Sequence, residues 1–280
     1  MQCPICKSSS DVYKELPEYS SFVCQKCHHI YIGLETIGSL SNLYDYDFYE
    51  NYMGIGYHDS YKLYFEKDFK KKLELIKNHI PLGSKILEVG CGPGYFSNLL
   101  QNEGYKVTGV ELNLACKLYA NNKGVEFDNF ICEDISEEKC TIFDEKFDAV
   151  ISWATIEHVV DPNDFISVLK KYTKDSGLIF IDTGVTYKAV RVFDYGYTKW
   201  LQPPYHLHVF SYQSLLKAGA LNNLSPLKFF KWYNSGGLLD KSFRLFKILV
   251  KVAMNLTSIF HKRKQGFIAV IGLIIFKKMK

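Results

Sequence analysis

The sequence lacks several features that would place it in a specialised class of protein. Its net charge is only +4 over 280 residues, which is too small to indicate a nucleic-acid-binding protein. The apolar run at 266–276 is too short to cross a bilayer, because a membrane helix needs about 20 apolar residues. With 47% hydrophobic and 15% aromatic residues, the chain also lacks the polar bias of disordered proteins. We therefore expect an ordered globular protein that has no nucleic-acid partner.

The first residues lack the pattern of a cleavable signal sequence. They read Met-Gln-Cys-Pro-Ile-Cys, with no basic start followed by an apolar block. We therefore expect a cytoplasmic protein with reduced thiols. In that compartment, eight cysteines indicate metal binding or packing before disulfides.

Four of these cysteines have the spacing of a zinc site. Cys3 and Cys6 form one C-x2-C pair, and Cys24 and Cys27 form a second. Two such pairs can surround one zinc ion with four thiolates and leave no position for water, which is typical of a structural site. A redox motif or two unrelated cysteine pairs are the alternatives. A segment this short has little core of its own, so we expect metal binding and folding to be one event.

A glycine-rich turn follows the first strongly apolar strand pattern. The run 85–89 leads into Gly90, Gly92 and Gly94, and an amphipathic helix pattern begins at Tyr95. Glycine suits such a turn because it adopts positive φ and lets a ligand approach the main chain. The dinucleotide pattern G-x-G-x-x-G requires glycine where Tyr95 stands, so the turn does not match that pattern.

The sequence Glu88-x-Gly-x-Gly-x-Gly94 resembles the first motif of class I S-adenosylmethionine-dependent methyltransferases. The resemblance implies an α/β fold with a Rossmann-like, seven-stranded, mainly parallel doubly wound sheet. It also implies that the turn, with Cys91 and Tyr95, lies under the methionine half of S-adenosylmethionine. In this family the acidic residue, here Glu88, helps to fix the cofactor's amino group.

A second acidic residue ends the next strand pattern. The strand predicted at 105–111 ends in Glu111 and is followed by Leu112. In nucleotide-binding folds, an acid at this position accepts hydrogen bonds from ribose hydroxyls. The resemblance makes Glu111 the ribose ligand, whereas a surface glutamate at a strand end is the alternative.

The third and fourth strand patterns supply the remaining cofactor candidates. A short third strand is predicted at 124–127. After it, the resemblance assigns the adenine contact to Asp134 with Ile135, and Glu133 is the weaker choice. The fourth strand, at 147–153, is continuously apolar, as expected of a strand covered on both faces. It ends in Ser152 and Trp153, which we expect near the cofactor.

Two histidines are candidates for a general base. Glu157-His158 follows the fourth strand and resembles the family's fourth motif. His206 begins the pattern His-x-x-x-Phe-Ser before a predicted helix, which resembles relatives that carry a zinc module or methylate quinones or sugars. The ordinary pKa of histidine suits a base. The alternatives are a loop-holding role for His158 and helix capping for His206.

The predicted domains follow from these motifs. Residues 1–38 form a zinc ribbon, and 39–80 form an aromatic connector with an N-terminal helix. Residues 81–280 form the methyltransferase domain, with substrate-cap insertions at about 186–204 and 235–262. In the connector, Tyr49 and Tyr52 are candidates to cover the cofactor or the acceptor.

The predicted acceptor is a small molecule, preferably a sugar or sugar nucleotide of bacterial surface-polysaccharide synthesis. The first alternative is a quinone-type or other small-molecule O-methyltransferase, and the second is a non-catalytic zinc-ribbon binding module. The basic amphipathic segment at 238–260 either lies on a membrane surface or covers the acceptor cleft.

Overall fold

The structure is a computed structural model of the whole chain. It describes residues 1–16, 19–33, 66, 68–122, 124–125, 129–136, 140–142, 144–186, 201, 205–235 and 268–279. The predicted connector with Tyr49 and Tyr52 lies outside the described residues, and so do the segment 238–260 and most of both predicted insertions.

The described residues form eleven strands, which belong to one sheet. In chain order they are β1 (Ser10–Leu16), β2 (Tyr19–Cys24), β3 (Ile30–Ile32), β4 (Lys85–Val89), β5 (Lys106–Val110), β6 (Asn129–Ile131), β7 (Phe147–Trp153), β8 (Thr173–Thr186), β9 (His208–Ser211), β10 (Leu224–Ser235) and β11 (Ile268–Lys278).

Seven of the strands form the predicted mainly parallel sheet, in the order β6-β5-β4-β7-β8-β11-β10. The first five are mutually parallel, whereas β11 runs antiparallel to both β8 and β10. The chain moves outward from β4 to β6 and returns to β7 on the other side of β4. The carboxyl end of β4 is therefore the topological switch point, where open α/β sheets bind ligands.

Helices cover both faces of this sheet. In chain order they are α1 (residues 68–77), α2 (Tyr95–Asn102), α3 (Leu114–Asn122), α4 (Pro162–Tyr172) and α5 (Tyr212–Leu221). Alternate residues of β4 and β7 enter two separate cores. One core packs against α1 and α2, and the other packs against α4 and α5. Burial on both faces explains why β7 is continuously apolar.

The N-terminal strands are joined to this sheet rather than attached by a linker alone. β3 pairs antiparallel with β9 through Ile30–Val209 and Tyr31–His208. β9 in turn pairs in parallel with the last two residues of β8. The predicted ribbon and the methyltransferase sheet are thus continuous.

Two strand predictions need correction. The third strand lies at Asn129–Ile131, and Gly124, where the predicted strand began, adopts a positive φ of 64° that suits a turn. The predicted positions 126 and 127 lie outside the described residues. The sequence interpretation also missed β10, whose two lysines and four aromatics do not alternate in a regular pattern. Among the described residues, no helix combines the length and the apolar character required to cross a membrane.

Candidate active site

The predicted glycine turn lies directly after β4 and leads into α2. Gly90, Gly92 and Gly94 all have positive φ, at 73°, 54° and 78°. A side chain at Gly90 would clash, because a Cβ there would lie 2.3 Å from Thr155 Oγ1. A Cβ at Gly92 would meet nothing within 4 Å, so this part of the turn faces open space. The turn therefore presents bare main chain toward a cleft.

Gly90→Ala should be more destabilising than Gly92→Ala. Both changes impose a left-handed conformation on alanine, which costs about 1–2 kcal/mol. Only Gly90→Ala adds overpacking against Thr155, which costs about 1–3 kcal/mol more. Denaturant unfolding of both variants measures the difference. In a Thr155→Ala background, Gly90→Ala should lower the free energy of unfolding only by the conformational cost. Equal losses of unfolding free energy in Gly90→Ala and Gly92→Ala would contradict the packing argument.

An open cleft with an empty volume of about 400 Å³ lies beside the turn. Five of its lining residues were predicted from the sequence, namely Glu88, Gly90, Cys91, Tyr95 and Trp153. The other five are Phe69, Lys72, Pro93, Phe96 and Ala154. The cleft thus lies at the topological switch point, where the sequence placed the cofactor.

Glu88 is the buried acid of the cleft. Its side chain is 3% exposed and accepts a hydrogen bond from the Ser97 hydroxyl of α2. Burial raises the pKa of Glu88 to about 8, although the Ser97 hydroxyl and the nearby Lys72 ammonium act in the opposite direction. A positively charged ligand group in the cleft would therefore favour the ionised carboxylate.

Glu111 lies against the same turn from the end of β5. One carboxylate oxygen accepts the Gly92 N–H at 2.9 Å, and the other accepts the Asn113 N–H at 3.1 Å. Burial raises the pKa of Glu111, and these backbone donors lower it. Each oxygen keeps a second lone pair for another donor. Leu112, the next residue, is 62% exposed.

The candidates after β6 lie at the surface beyond Glu111. The exposed Asp134 carboxylate accepts hydrogen bonds from the main chain and hydroxyl of Ser136, at 2.8 and 2.7 Å, whereas Ile135 is buried. Glu133, the weaker choice, accepts hydrogen bonds from Thr141 instead. Asp134 is therefore held in a local turn at the carboxyl end of the sheet.

A buried ion pair, which the sequence interpretation missed, supports the other side of the cleft. Lys72 of α1 contacts Asp182 of β8 at 2.7 Å, and both side chains are almost fully buried. Asp182 also accepts the Ala154 N–H at 2.8 Å, and the lysine ammonium lies over the Trp153 ring. The signal was available, because Lys72 stands three residues after Phe69 on the apolar face of the predicted helix.

The two other cofactor candidates on β7 differ in role. The Ser152 side chain is fully buried and donates to the Val89 carbonyl at 3.1 Å, so it joins β7 to β4 and is absent from the cleft lining. The Trp153 ring packs edge-on against Phe96 and forms part of the cleft wall. Its indole N–H is buried without a hydrogen-bond partner among the described residues.

The two predicted base candidates lie together. The rings of His158 and His206 have centroids 4.6 Å apart in an edge-on arrangement, and His158 Nδ1 lies 3.2 Å from the Tyr205 carbonyl oxygen. Burial lowers the pKa of His158 to about 3. His206 does not cap α5, because Ser211 is the N-cap residue.

Glu157 completes this cluster. One carboxylate oxygen of Glu157 and one ring nitrogen from each of the two histidines all lie within 4.8 Å of one another. Its carboxyl is 1% exposed and accepts the Thr183 hydroxyl at 2.8 Å. Burial raises the pKa of Glu157 to about 8.

The four predicted zinc ligands are brought together in the N-terminal module, by which we mean residues 1–33. The sulfurs of Cys3 and Cys27 are 3.6 Å apart, and those of Cys6 and Cys24 are 3.4 Å apart. These distances exceed the roughly 2 Å of a disulfide. Four sulfurs bound to one tetrahedral zinc ion at 2.3 Å lie about 3.8 Å from one another. The distances between the cysteine sulfurs approach that value. The thiol set therefore fits one zinc ion.

The sheet order and the glycine cleft define the class of protein as a class I S-adenosylmethionine-dependent methyltransferase. Residues 61–228, more than half of the chain, match the family described as "Methyltransferase domain". The chain therefore belongs to this methyltransferase family, and S-adenosylmethionine is its cofactor.

Known proteins agree with this assignment. The ubiquinone biosynthesis O-methyltransferase of Histophilus somni is 30% identical over 112 residues, which are 38% of this chain and 47% of that protein. The chain thus spans about half the length of the curated relatives it matches. A putative methyltransferase from Bacillus halodurans has the same fold, with a TM-score of 0.59, 14% identity, and coverage of 76% of this chain and 100% of that one. An S-adenosylmethionine-dependent methyltransferase from Methanosarcina mazei has a TM-score of 0.54 and 17% identity, with coverage of 73% of this chain and 97% of that one.

Proposed function

We propose that the cleft holds S-adenosylmethionine through the residues predicted from the sequence. The bare turn around Gly92 receives the methionine half, Glu88 accepts its ammonium group, and Glu111 accepts the ribose hydroxyls. Asp134 and Ile135 receive the adenine. The observation that carries this proposal is the Glu111 carboxylate, which two backbone N–H groups orient beside the open part of the turn.

The acceptor that we propose is a phenolic hydroxyl of a quinone-type small molecule. The names of the related ubiquinone biosynthesis O-methyltransferases support it. They favour this alternative over the sugar or sugar nucleotide that the sequence analysis preferred. These relatives match 38% and 36% of this chain, so the acceptor itself requires a direct test.

The chain's own residues then have separate roles. When bound, the cofactor supplies an electrophilic methyl group on a sulfonium. His206 accepts the proton of the acceptor hydroxyl as that oxygen attacks the methyl group. His158 is the weaker base, because burial lowers its pKa to about 3, and its neutral ring orients His206 and the acceptor. Most of the acceleration comes from holding the two reactants in line.

We also propose that the N-terminal module binds one structural zinc ion through its four cysteines. The short distances between their sulfurs support this role. Four protein ligands leave no open position for an acceptor.

Methyl transfer from labelled S-adenosylmethionine tests the acceptor. We expect transfer to catechol-type phenols and none to nucleotide sugars. His206→Asn should lower kcat by about 10²–10⁴-fold, the usual contribution of a general base. His79→Gln is a matched control, because His79 lies after α1 and its Nδ1–H donates to the Leu75 carbonyl oxygen at 2.8 Å. Transfer to nucleotide sugars alone would refute the phenolic acceptor, and an unaffected His206→Asn would refute the base.

A further inference from the structure

Two buried imidazoles connect the cysteine cluster to the candidate base. His29 follows the second cysteine pair, and His208 begins β9. The two side chains are 0% and 2% exposed. His29 Nε2 lies 3.1 Å from His208 Nδ1, and the ring centroids are 5.2 Å apart. Neither residue has a role in the proposed chemistry, and such a buried polar pair requires an explanation.

The hydrogen-bond donors in this pair can be assigned. His208 Nε2 lies 2.9 Å from the Val159 carbonyl oxygen, which can only accept, so Nε2 carries the proton. Both rings are buried, and the hydrogen bonds of the pair go to an imidazole and a carbonyl rather than to a carboxylate. Because a buried charge without a partner is costly, each ring is neutral and has one N–H. His208 Nδ1 is therefore an acceptor, and His29 Nε2 donates to it. The bonds run in one direction, from His29 through His208 to Val159.

Both ends of this chain of hydrogen bonds are anchored. At one end, the His29 carbonyl accepts the Cys24 N–H at 2.8 Å, which fixes His29 to the cysteine cluster. At the other end, the Glu157 carbonyl accepts the N–H groups of Leu207 and His208 at 2.8 and 3.2 Å. The turn 157–159, which contains His158, is thus held to β9 by three hydrogen bonds.

We propose that His29 is a positioning residue for methyl transfer. Through His208 it fixes the turn 157–159 and so places His158 beside His206. This inference rests on the proposed role of the two histidines at the acceptor. It gives the N-terminal module a function in catalysis that goes beyond its own folding.

Two substitutions of His29 separate the hydrogen bond from packing. His29→Leu keeps much of the volume but removes the donor, whereas His29→Gln retains an N–H at a similar reach. We expect His29→Leu to lower kcat by about 10²-fold, as small misplacements of reacting groups do. His29→Gln should recover most of the rate. Zinc content and affinity for S-adenosylmethionine should remain at wild-type values in both variants.

A double variant tests whether the effect passes through His158. If it does, His29→Leu combined with His158→Ala should be no slower than His158→Ala alone, because the two losses are not additive. Additive losses would overturn the proposal. So would an unchanged kcat in His29→Leu, or a fall in kcat that accompanies loss of zinc or of cofactor affinity.

Two measurements need no acceptor, so they keep this proposal distinct from the proposed function. Nitrogen-15 NMR of the wild-type imidazoles should show His29 and His208 both protonated at Nε2, and a proton on His208 Nδ1 would overturn the assignment even if no variant folds. Amide exchange at 157–160 should accelerate in His29→Leu but not in His29→Gln. If both results hold while phenols are not methylated, only the proposed acceptor is wrong.

Discussion

Glu111→Ala should weaken binding of S-adenosylmethionine by about 10²–10⁴-fold. The variant removes two hydrogen bonds from ribose hydroxyls to a charged acceptor, each worth about 1.5–3 kcal/mol, and each 1.4 kcal/mol is a factor of ten. The Gly92 and Asn113 N–H groups hold the carboxylate in place before the ligand arrives, so little energy is spent in orienting it. Isothermal titration calorimetry measures the change.

A ligand lacking the ribose 2′-hydroxyl separates this contact from indirect effects on the turn. The wild-type protein should lose affinity for the deoxy ligand, whereas Glu111→Ala should bind both ligands equally. Glu103→Ala is the matched control, because Glu103 follows α2 and pairs with Lys77. Wild-type affinity in Glu111→Ala would refute the ribose assignment. If Glu111→Ala lost as much affinity for the deoxy ligand as the wild-type protein does, the carboxylate would act only by holding the turn.

Cys24→Ser should abolish stoichiometric zinc binding and unfold the N-terminal module. The binding energy of a structural zinc is about 10–16 kcal/mol in small zinc-finger peptides, which exceeds the total stability of many domains. Cys24 is also part of the core that the module shares with the main sheet, so loss of the ion disturbs that core as well. Elemental analysis should find one zinc per wild-type chain and none in the variant, and circular dichroism should show the lost strands.

Cys140→Ser controls for the loss of a buried thiol. Cys140 is 4% exposed and lies outside the cluster, so this variant should keep its zinc. A wild-type chain purified without metal, or a Cys24→Ser variant that still holds one zinc ion, would contradict the structural site.

The parts of the fold that the sequence predicted are those with a local signal. The glycine turn and the apolar strands β4 and β7 are encoded by adjacent residues, and the family resemblance implied the mainly parallel, doubly wound sheet. The pairing of β3 with β9 joins residues almost 180 positions apart. No local pattern encodes such a contact, so the continuity of the two sheets could not be predicted.

The candidate site shows the same limit. Glu88 and Glu111 could be found because each ends a strand, where side chains at the carboxyl edge converge. Lys72 and Asp182 were missed because their ion pair forms between α1 and β8, and its burial depends on tertiary packing. Their role is to hold the main chain at Ala154, whose φ of 49° is unusual for a residue other than glycine.

The pairing of β3 with β9 has a practical consequence for dissecting this protein. If the chain were shortened to begin after residue 38, β9 would keep β8 on one side but lose β3 on the other. The backbone groups around His208 and Val209 would then be left without their partners on β3. Open strand edges recruit other strands. A truncated enzyme should therefore self-associate, and a chimaera that exchanges the first 38 residues between relatives should stay monodisperse only if β9 is exchanged with them.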